Sequence, residues 1–234
     1  MEIFNPGDKL VSLIRKNYNL LPVINRFGIR LGFKDKSIDE ICIEHNTNTA
    51  FFLAIVNTYH NENYFPEQKL LSFSPLEIIA YLKSTHEYYL RQVIPALEDI
   101  LTQLLESCSE PCDDLKLIEK FYQSYKDELI HHIKEEEEIV FPYVEELLQS
   151  KKISDTHPGI HAFEKEHSNV EIKLNDLKNL MLKYINPTYD QMLCNEFLSL
   201  LFKFEKDIID HARIEDKILV PMVQVFENKY RSEG

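Results

Sequence analysis

The sequence predicts an all-α protein: an up-down-up-down four-helix bundle preceded by a small helical module. Three observations predict it. The 234 residues include ten Pro but only five Gly and no Trp, with Leu, Ile, Lys and Glu abundant, a composition that favours helix over sheet. Four long stretches carry apolar residues at steps of three and four, the period of an amphipathic helix. Short polar loops join them, which makes neighbours in sequence antiparallel neighbours in space.

Residues 1–57 read as short helices, "PGDKLVSLIRKN", "LLPVINRFGI", "SIDEICIEHN" and "NTAFFLAIVN", with Asn, Asp, Ser and Pro at the joints, where such residues start and stop helices. Residues 58–73, "TYHNENYFPEQKLLSF", are polar and aromatic and read as a linker. The bundle then occupies 74–230. Its first helix opens on Ser74, Pro75 and Glu77, the layout of a capping box with proline at the first helical position. Its stripe is Ile79, Leu82, Leu90, Val93, Leu97, Ile100 and Leu104, and His86 fills the one gap of eight. Pro95 predicts a kink rather than an end, because the period resumes beyond it.

The second helix spans about 113–149, with the stripe Ile118, Phe121, Tyr125, Leu129, His132, Glu136, Ile139, Tyr143 and Leu147. The third spans about 160–183, with Phe163, His167, Val170, Leu174, Leu177 and Met181. The fourth spans about 188–230, with Phe197, Leu201, Phe204, Ile208, His211, Glu215, Ile218, Met222 and Val225. Every inner face therefore carries one histidine, and two also carry a glutamate.

A single histidine on an apolar face is usually a satisfied core residue. Four in register, with two carboxylates, are different, because burying such groups without partners costs several kcal/mol per charged group. A metal centre supplies the partner. Residues i and i+4 stack on one helix face, and His132/Glu136 and His211/Glu215 have that spacing. Within the run Glu135–Glu138, periodicity barely separates Glu135 from Glu136. The second copy of His-x3-Glu-x2-Ile-x2-Pro decides for Glu136: it matches His132 to His211, Glu136 to Glu215, Ile139 to Ile218 and Pro142 to Pro221. His86 precedes His132 by 46 residues and His167 precedes His211 by 44. The pattern predicts two similar hairpins about a pseudo-two-fold axis, with two metals at the centre, each taking two histidines and sharing the carboxylates. Six ligands exceed one tetrahedral zinc, and imidazole with carboxylate suits iron or manganese, with iron preferred.

These motifs resemble the hemerythrin-like domain, and within that superfamily the repair-of-iron-centres proteins. "THEYYLRQVIPAL", "HIKEEEEIVFP", "FEKEHSNV" and "DHARIEDKILVP" resemble its four ligand helices, over about 74–228. The resemblance implies terminal ligands at His86, His132, His167 and His211, and bridging carboxylates at Glu136 and Glu215. It implies two iron ions in an oxo- or hydroxo-bridged non-haem centre. It further implies O2, NO or peroxide as small ligands, and a role in repairing iron–sulfur clusters damaged by nitrosative or oxidative stress. A binding or sensing protein of the same class without turnover is the alternative. Glu166 falls where that family also has an acidic residue. Oxygen carriers resemble one another in a second histidine four residues after the first on the third helix; here that residue is Glu171, which leaves a coordination position open. The N-terminal module resembles the family's short helical domain, but the family's adjacent cysteine pair falls at Gly32 and Phe33, and only Cys42 remains.

The formal net charge of −13 argues against nucleic acid or anionic membrane as partner. No apolar run approaches a membrane span, and "MEIFNPGDKLVSLIRKN" lacks a signal layout. A cytoplasmic location is expected, and with it reduced thiols at Cys108 and Cys112. A homodimer is left open.

Overall fold

The computed structural model describes residues 3–108, 113–151, 159–160, 167–185 and 189–233, with the side chains of 167–171 and 233 outside that description. The protein is an all-α helical bundle, and among the described residues no strand forms; Lys9 and Ser37 make one isolated bridge. The chain divides into two compact units, Met1–Tyr88 with Arg213–Val225, and Tyr89–Ala212 with Phe226–Gly234.

The first unit begins with four helices, α1 (Leu10–Lys16), α2 (Leu21–Asn25), α3 (Ile38–Glu44) and α4 (Thr49–His60). Local chemistry fixes their starts. Ser37 and Glu40 close a reciprocal capping box on α3, and the Asn48 side chain accepts from the Ala50 and Phe51 amides at the start of α4, satisfying donors that the first turn leaves without partners. The core is built on α4, buried from Phe51 to Tyr59. Asn57 ties the N-terminal segment to it: it accepts from the Phe4 amide at 2.7 Å and donates to the Phe4 carbonyl at 3.0 Å.

Segment 58–73 is more than a tether. It contains the end of α4 and a short helix, α5 (Glu67–Leu70), whose Leu70 is fully buried. Phe65 lies 4.6 Å from the Arg213 guanidinium, a cation–π contact with the fourth long helix. The first long helix starts as α6 (Pro75–Tyr88). Ser74 caps it by accepting from the Leu76 amide at 3.3 Å. Glu77 does not behave as the expected capping-box partner: its carboxyl reaches Asn48, and burial pushes its pKa up. The Tyr81 ring of α6 stands 5.3 Å from Phe27, and the buried Arg26 donates to the Tyr59 and Tyr81 hydroxyls.

The second unit holds α7 (Ile94–Glu106), α8 (Asp113–Glu135), α9 (Phe141–Ser150), α10 (His167–Tyr184) and α11 (Gln191–Ile214), with the last turns of α12 (Val220–Glu233). Tyr122 meets Phe197, Tyr125 meets Phe204 and Tyr143 meets Glu227. These pairs advance together along both chains, so the second and fourth long helices run in the same direction, as alternate members of an up-down-up-down bundle do. The expectation of reduced thiols fails at Cys108, which is disulfide-bonded; Cys112 lies outside the described residues.

Three of the long helices are interrupted by a π-turn, at Tyr89–Val93, Glu136–Val140 and Glu215–Leu219. The Phe141 amide donates to the Glu136 carbonyl and the Val220 amide to the Glu215 carbonyl, each five residues back. Each π-turn ends two residues before a proline, Pro95, Pro142 or Pro221. Proline has no amide to donate, and its ring clashes with the carbonyl four residues earlier; a wide turn absorbs both faults, and π-turns gather at functional sites. Near these turns burial departs by one residue from the expected stripe. Val140 is buried where Ile139 was expected, and Ile139 is 39% exposed. Tyr89 is buried where Leu90 was expected, and Val225, expected inside, is 66% exposed.

Candidate metal centre

His86 ends the straight part of the first long helix, Glu136 opens the second π-turn, and His211 lies in the last turn of α11. Glu136 and His211, both in the second unit, each place a ligand atom within 4.8 Å of the other, and both side chains are buried, as is that of His86 in the first unit. Metal–nitrogen and metal–oxygen bonds of about 2.1 Å put neighbouring donors roughly 3–4 Å apart, so Glu136 and His211 can share one cation after a small contraction. They come from two different helices, which makes the pair a product of the fold rather than of local sequence.

The remaining expected ligands are placed as follows. His132, one turn before Glu136, has its Nε2 2.9 Å from Glu136 Oε1, and its side chain is 12% exposed. Glu215 is buried at the head of the third π-turn, the position Glu136 holds in the second. His167 is the first residue of α10; its side chain lies outside the described residues, as do Glu166, Phe163 and the side chains of Val170 and Glu171. Of the four successive glutamates, Glu136 alone is buried, and Glu138 faces solvent beside Lys134 at 3.8 Å.

The donor set fits a hard-to-borderline transition ion. Nitrogen and carboxylate oxygen converge without a thiolate, the preference of iron or manganese over a soft-ligand metal. Glu136 Oε2, Glu215 Oε2 and His211 Nδ1 are buried atoms that make no hydrogen bond, although each residue has further contacts of its own. Desolvated carboxylate oxygens are costly unless a charge or donor compensates them, and a bound cation would be one such charge. Residues 77–223 match the family model of the hemerythrin HHE cation-binding domain.

The chain belongs to the hemerythrin HHE family. The matched span contains all six residues singled out by spacing, and covers more than half of the chain. Among curated relatives, the chain is similar to the iron-sulfur cluster repair protein ScdA of Staphylococcus haemolyticus (strain JCSC1435), 20% identical over 142 residues, which is 61% of this chain and 64% of that protein's length. This hemerythrin HHE chain therefore matches somewhat less than two thirds of that relative.

Sequence spacing missed several polar groups around the centre. Tyr89 heads the first π-turn, three residues after His86; its hydroxyl donates to Asp207 Oδ1 at 2.6 Å and its ring stands 5.8 Å from the His211 ring. Asp210, next to His211, is buried as well. Further along, Glu227 is a buried carboxylate that accepts from the Tyr143 hydroxyl at 2.5 Å and from the Ile160 amide at 2.9 Å, pinning the backbone ahead of α10. The signal that points to Tyr89 is the recurring proline: Pro95 follows His86 by nine residues as Pro142 and Pro221 follow their histidines by ten.

Proposed function

We propose that this hemerythrin HHE protein is a non-haem di-iron protein of iron–sulfur cluster repair. His86, His132, His167 and His211 act as terminal ligands, and Glu136 and Glu215 bridge two irons. The observation that carries the reading is the buried approach of Glu136 to His211, from different helices. The repeat of Glu136 and Glu215 at the heads of matching π-turns supports a second, symmetry-related metal position. Bound iron supplies a redox couple and an open position for O2, NO or peroxide. The chain's own part is to hold donors rigidly, to exclude bulk water by burying them, and to keep the Glu136 carboxylate aligned through His132. The name of the similar iron-sulfur cluster repair protein ScdA supports repair as the task, with damaged iron–sulfur proteins as clients; a cytoplasmic location is part of the same proposal. No helix among the described residues is long and apolar enough to cross a membrane.

The reading is tested on anaerobically purified protein by metal analysis and visible spectroscopy, followed by incubation with an apo iron–sulfur acceptor. Two irons per chain and transfer of iron to the acceptor are the expected results. An oxygen-dependent band that reverses on degassing, with no transfer, would replace repair by gas binding or sensing. One observation favours that second reading. Gly32 and Phe33 occupy the positions of the family's cysteine pair, and Phe33 is a core side chain. The remaining thiol, Cys42, is fully buried, and burial pushes its pKa up to about 11, with a Thr49 hydrogen bond acting the other way. Thiolate is the reactive form of cysteine. Cys42 is therefore expected to resist iodoacetamide at neutral pH until the protein is unfolded, and Cys42→Ser to leave iron binding and transfer unchanged. Mass spectrometry of the alkylated native protein checks the first and the acceptor assay the second.

A further inference from the structure

Tyr89 meets one face of α11 at three points. Its ring, 1% exposed, stands 5.1 Å from the Phe204 ring at an interplanar angle of 75°, and 5.8 Å from the His211 ring at 68°. Between these two contacts its hydroxyl donates to Asp207 Oδ1 at 2.6 Å, the length of a charge-assisted bond. Phe204, Asp207 and His211 follow one another at steps of three and four, so they share a face of the helix over two turns. Phe204 is buried and Asp207 half-buried. A phenylalanine ring could fill the same space, but it could also slide along that face. The hydroxyl fixes how far along the helix the ring sits, and so where it meets His211.

We propose that Tyr89 is a positioning residue for His211, and that Asp207 holds Tyr89 in the place where it does so. The proposal rests on the iron reading given above, in which His211 is a ligand. An imidazole binds a metal through a lone pair in the plane of its ring, so the rotation of the ring decides whether that lone pair points at the ion. This rotation is the last torsion of the side chain, and its own preference is broad. Neighbours must set it. Near-perpendicular contact with a second aromatic ring is a constraint with a preferred geometry, and Tyr89 supplies one. Asp207 lies one turn before His211 on the same helix and acts on it through Tyr89. Neither Tyr89 nor Asp207 is among the proposed ligands.

Tyr125 is the internal control. It is as deeply buried and its ring meets the same Phe204 at 6.4 Å, but its hydroxyl has no hydrogen-bond partner among the described residues. Removing that hydroxyl releases no tether, so Tyr125→Phe should leave the metal centre unchanged.

The test reads ligand geometry and fold separately. The full chain is loaded anaerobically with cobalt(II), whose visible bands report the arrangement of its ligands. Iron(II) affinity is measured by competition with a chelator, and urea unfolding of the metal-free variants checks the fold. Tyr89→Phe should shift the cobalt bands and weaken iron binding about 10-fold, and Tyr89→Leu, which also loses the ring contact, about 100-fold, the span for residues that orient a ligand. Asp207→Ala should match Tyr89→Phe, and the two combined should be no worse than either alone, as for two ends of one interaction. Asp207→Asn, whose amide oxygen still accepts from the hydroxyl, should behave as the parent. If Tyr89→Leu fails to fold, the milder variants decide. Parent-like bands and affinity in Tyr89→Phe, or fully additive losses in the pair, overturn the proposal and leave the iron site standing. A parent that binds neither metal overturns the proposed function itself, and this inference with it.

Discussion

Glu136→Ala is expected to yield a protein that folds normally but is purified without its iron. The two halves of that expectation have separate causes. In the metal-free protein Glu136 is a buried carboxylate, 3% exposed, with one oxygen on His132 Nε2 at 2.9 Å. Such a group stabilises little, because the attraction it gains is set against the hydration it has lost. Metal-free stability should therefore change little. In the loaded protein the same change deletes the carboxylate that approaches His211. Residues that merely orient a ligand are worth about 10–100-fold in metal affinity, so loss of a ligand should cost at least roughly 100-fold, or about 2.7 kcal/mol. Ligand binding to the native state raises stability in proportion to the logarithm of saturation, so thermal unfolding should separate the two proteins with iron present and not without it. Glu138→Ala is the matched control, since that side chain is exposed beside Lys134. Full iron content in Glu136→Ala would remove Glu136 from the ligand set.

The parts of this protein that were legible in the sequence are those in which one helix tells its own story. The buried halves of α6, α8 and α11 follow from the 3.6-residue period, and His86, His132 and His211 stand out because they fall in register at apolar phases of three helices, which one satisfied core histidine would not do. Glu136 was separable from Glu135 only because a second copy 79 residues on placed Glu215 at the same step. The π-turns were not legible by period, since one inserted residue leaves a helix that still looks helical on both sides. It changes only which residue faces in, and that is why Ile139 was expected inside while Val140 takes the buried place. The three prolines held that information in a form that periodicity does not read. Groups such as Asp207, Lys178 and Glu227 were opaque for another reason. Their partners, Tyr89, Glu205 and Tyr143, are 27 to 118 residues away, and a charged residue at a half-buried phase reads as solvated until its partner is known.

Glu205→Ala is expected to destabilise the protein by about 3–5 kcal/mol, the range for removing one partner of a buried ion pair. Lys178 is 5% exposed, its ammonium is paired with the Glu205 carboxylate, and it lies 4.6 Å from the Phe202 ring. Deleting the carboxylate leaves a cation with its water removed and only the aromatic face to compensate, and that face is worth roughly 0.5–2 kcal/mol. The pair itself need not be stabilising. Replacing both members by apolar residues of similar volume, Lys178→Met with Glu205→Leu, should recover most of the loss, because no charge remains to be hydrated. Urea unfolding of the two single variants and the double variant closes the cycle, and a coupling near zero would mean that Lys178 reaches water when Glu205 is gone. A functional consequence separates this tie from a merely structural one. Lys178 sits on α10, the helix that begins at His167, and Glu205 sits on α11, the helix that carries His211. With the pair broken, α10 loses a fixed point against α11, and iron affinity should fall in Glu205→Ala even in conditions where the protein is fully folded. In the double variant the packing returns without the charges, and iron affinity should return with it. Affinity that stays low in the double variant would show that the ion pair, and not the contact between the helices, sets the register of the third ligand helix.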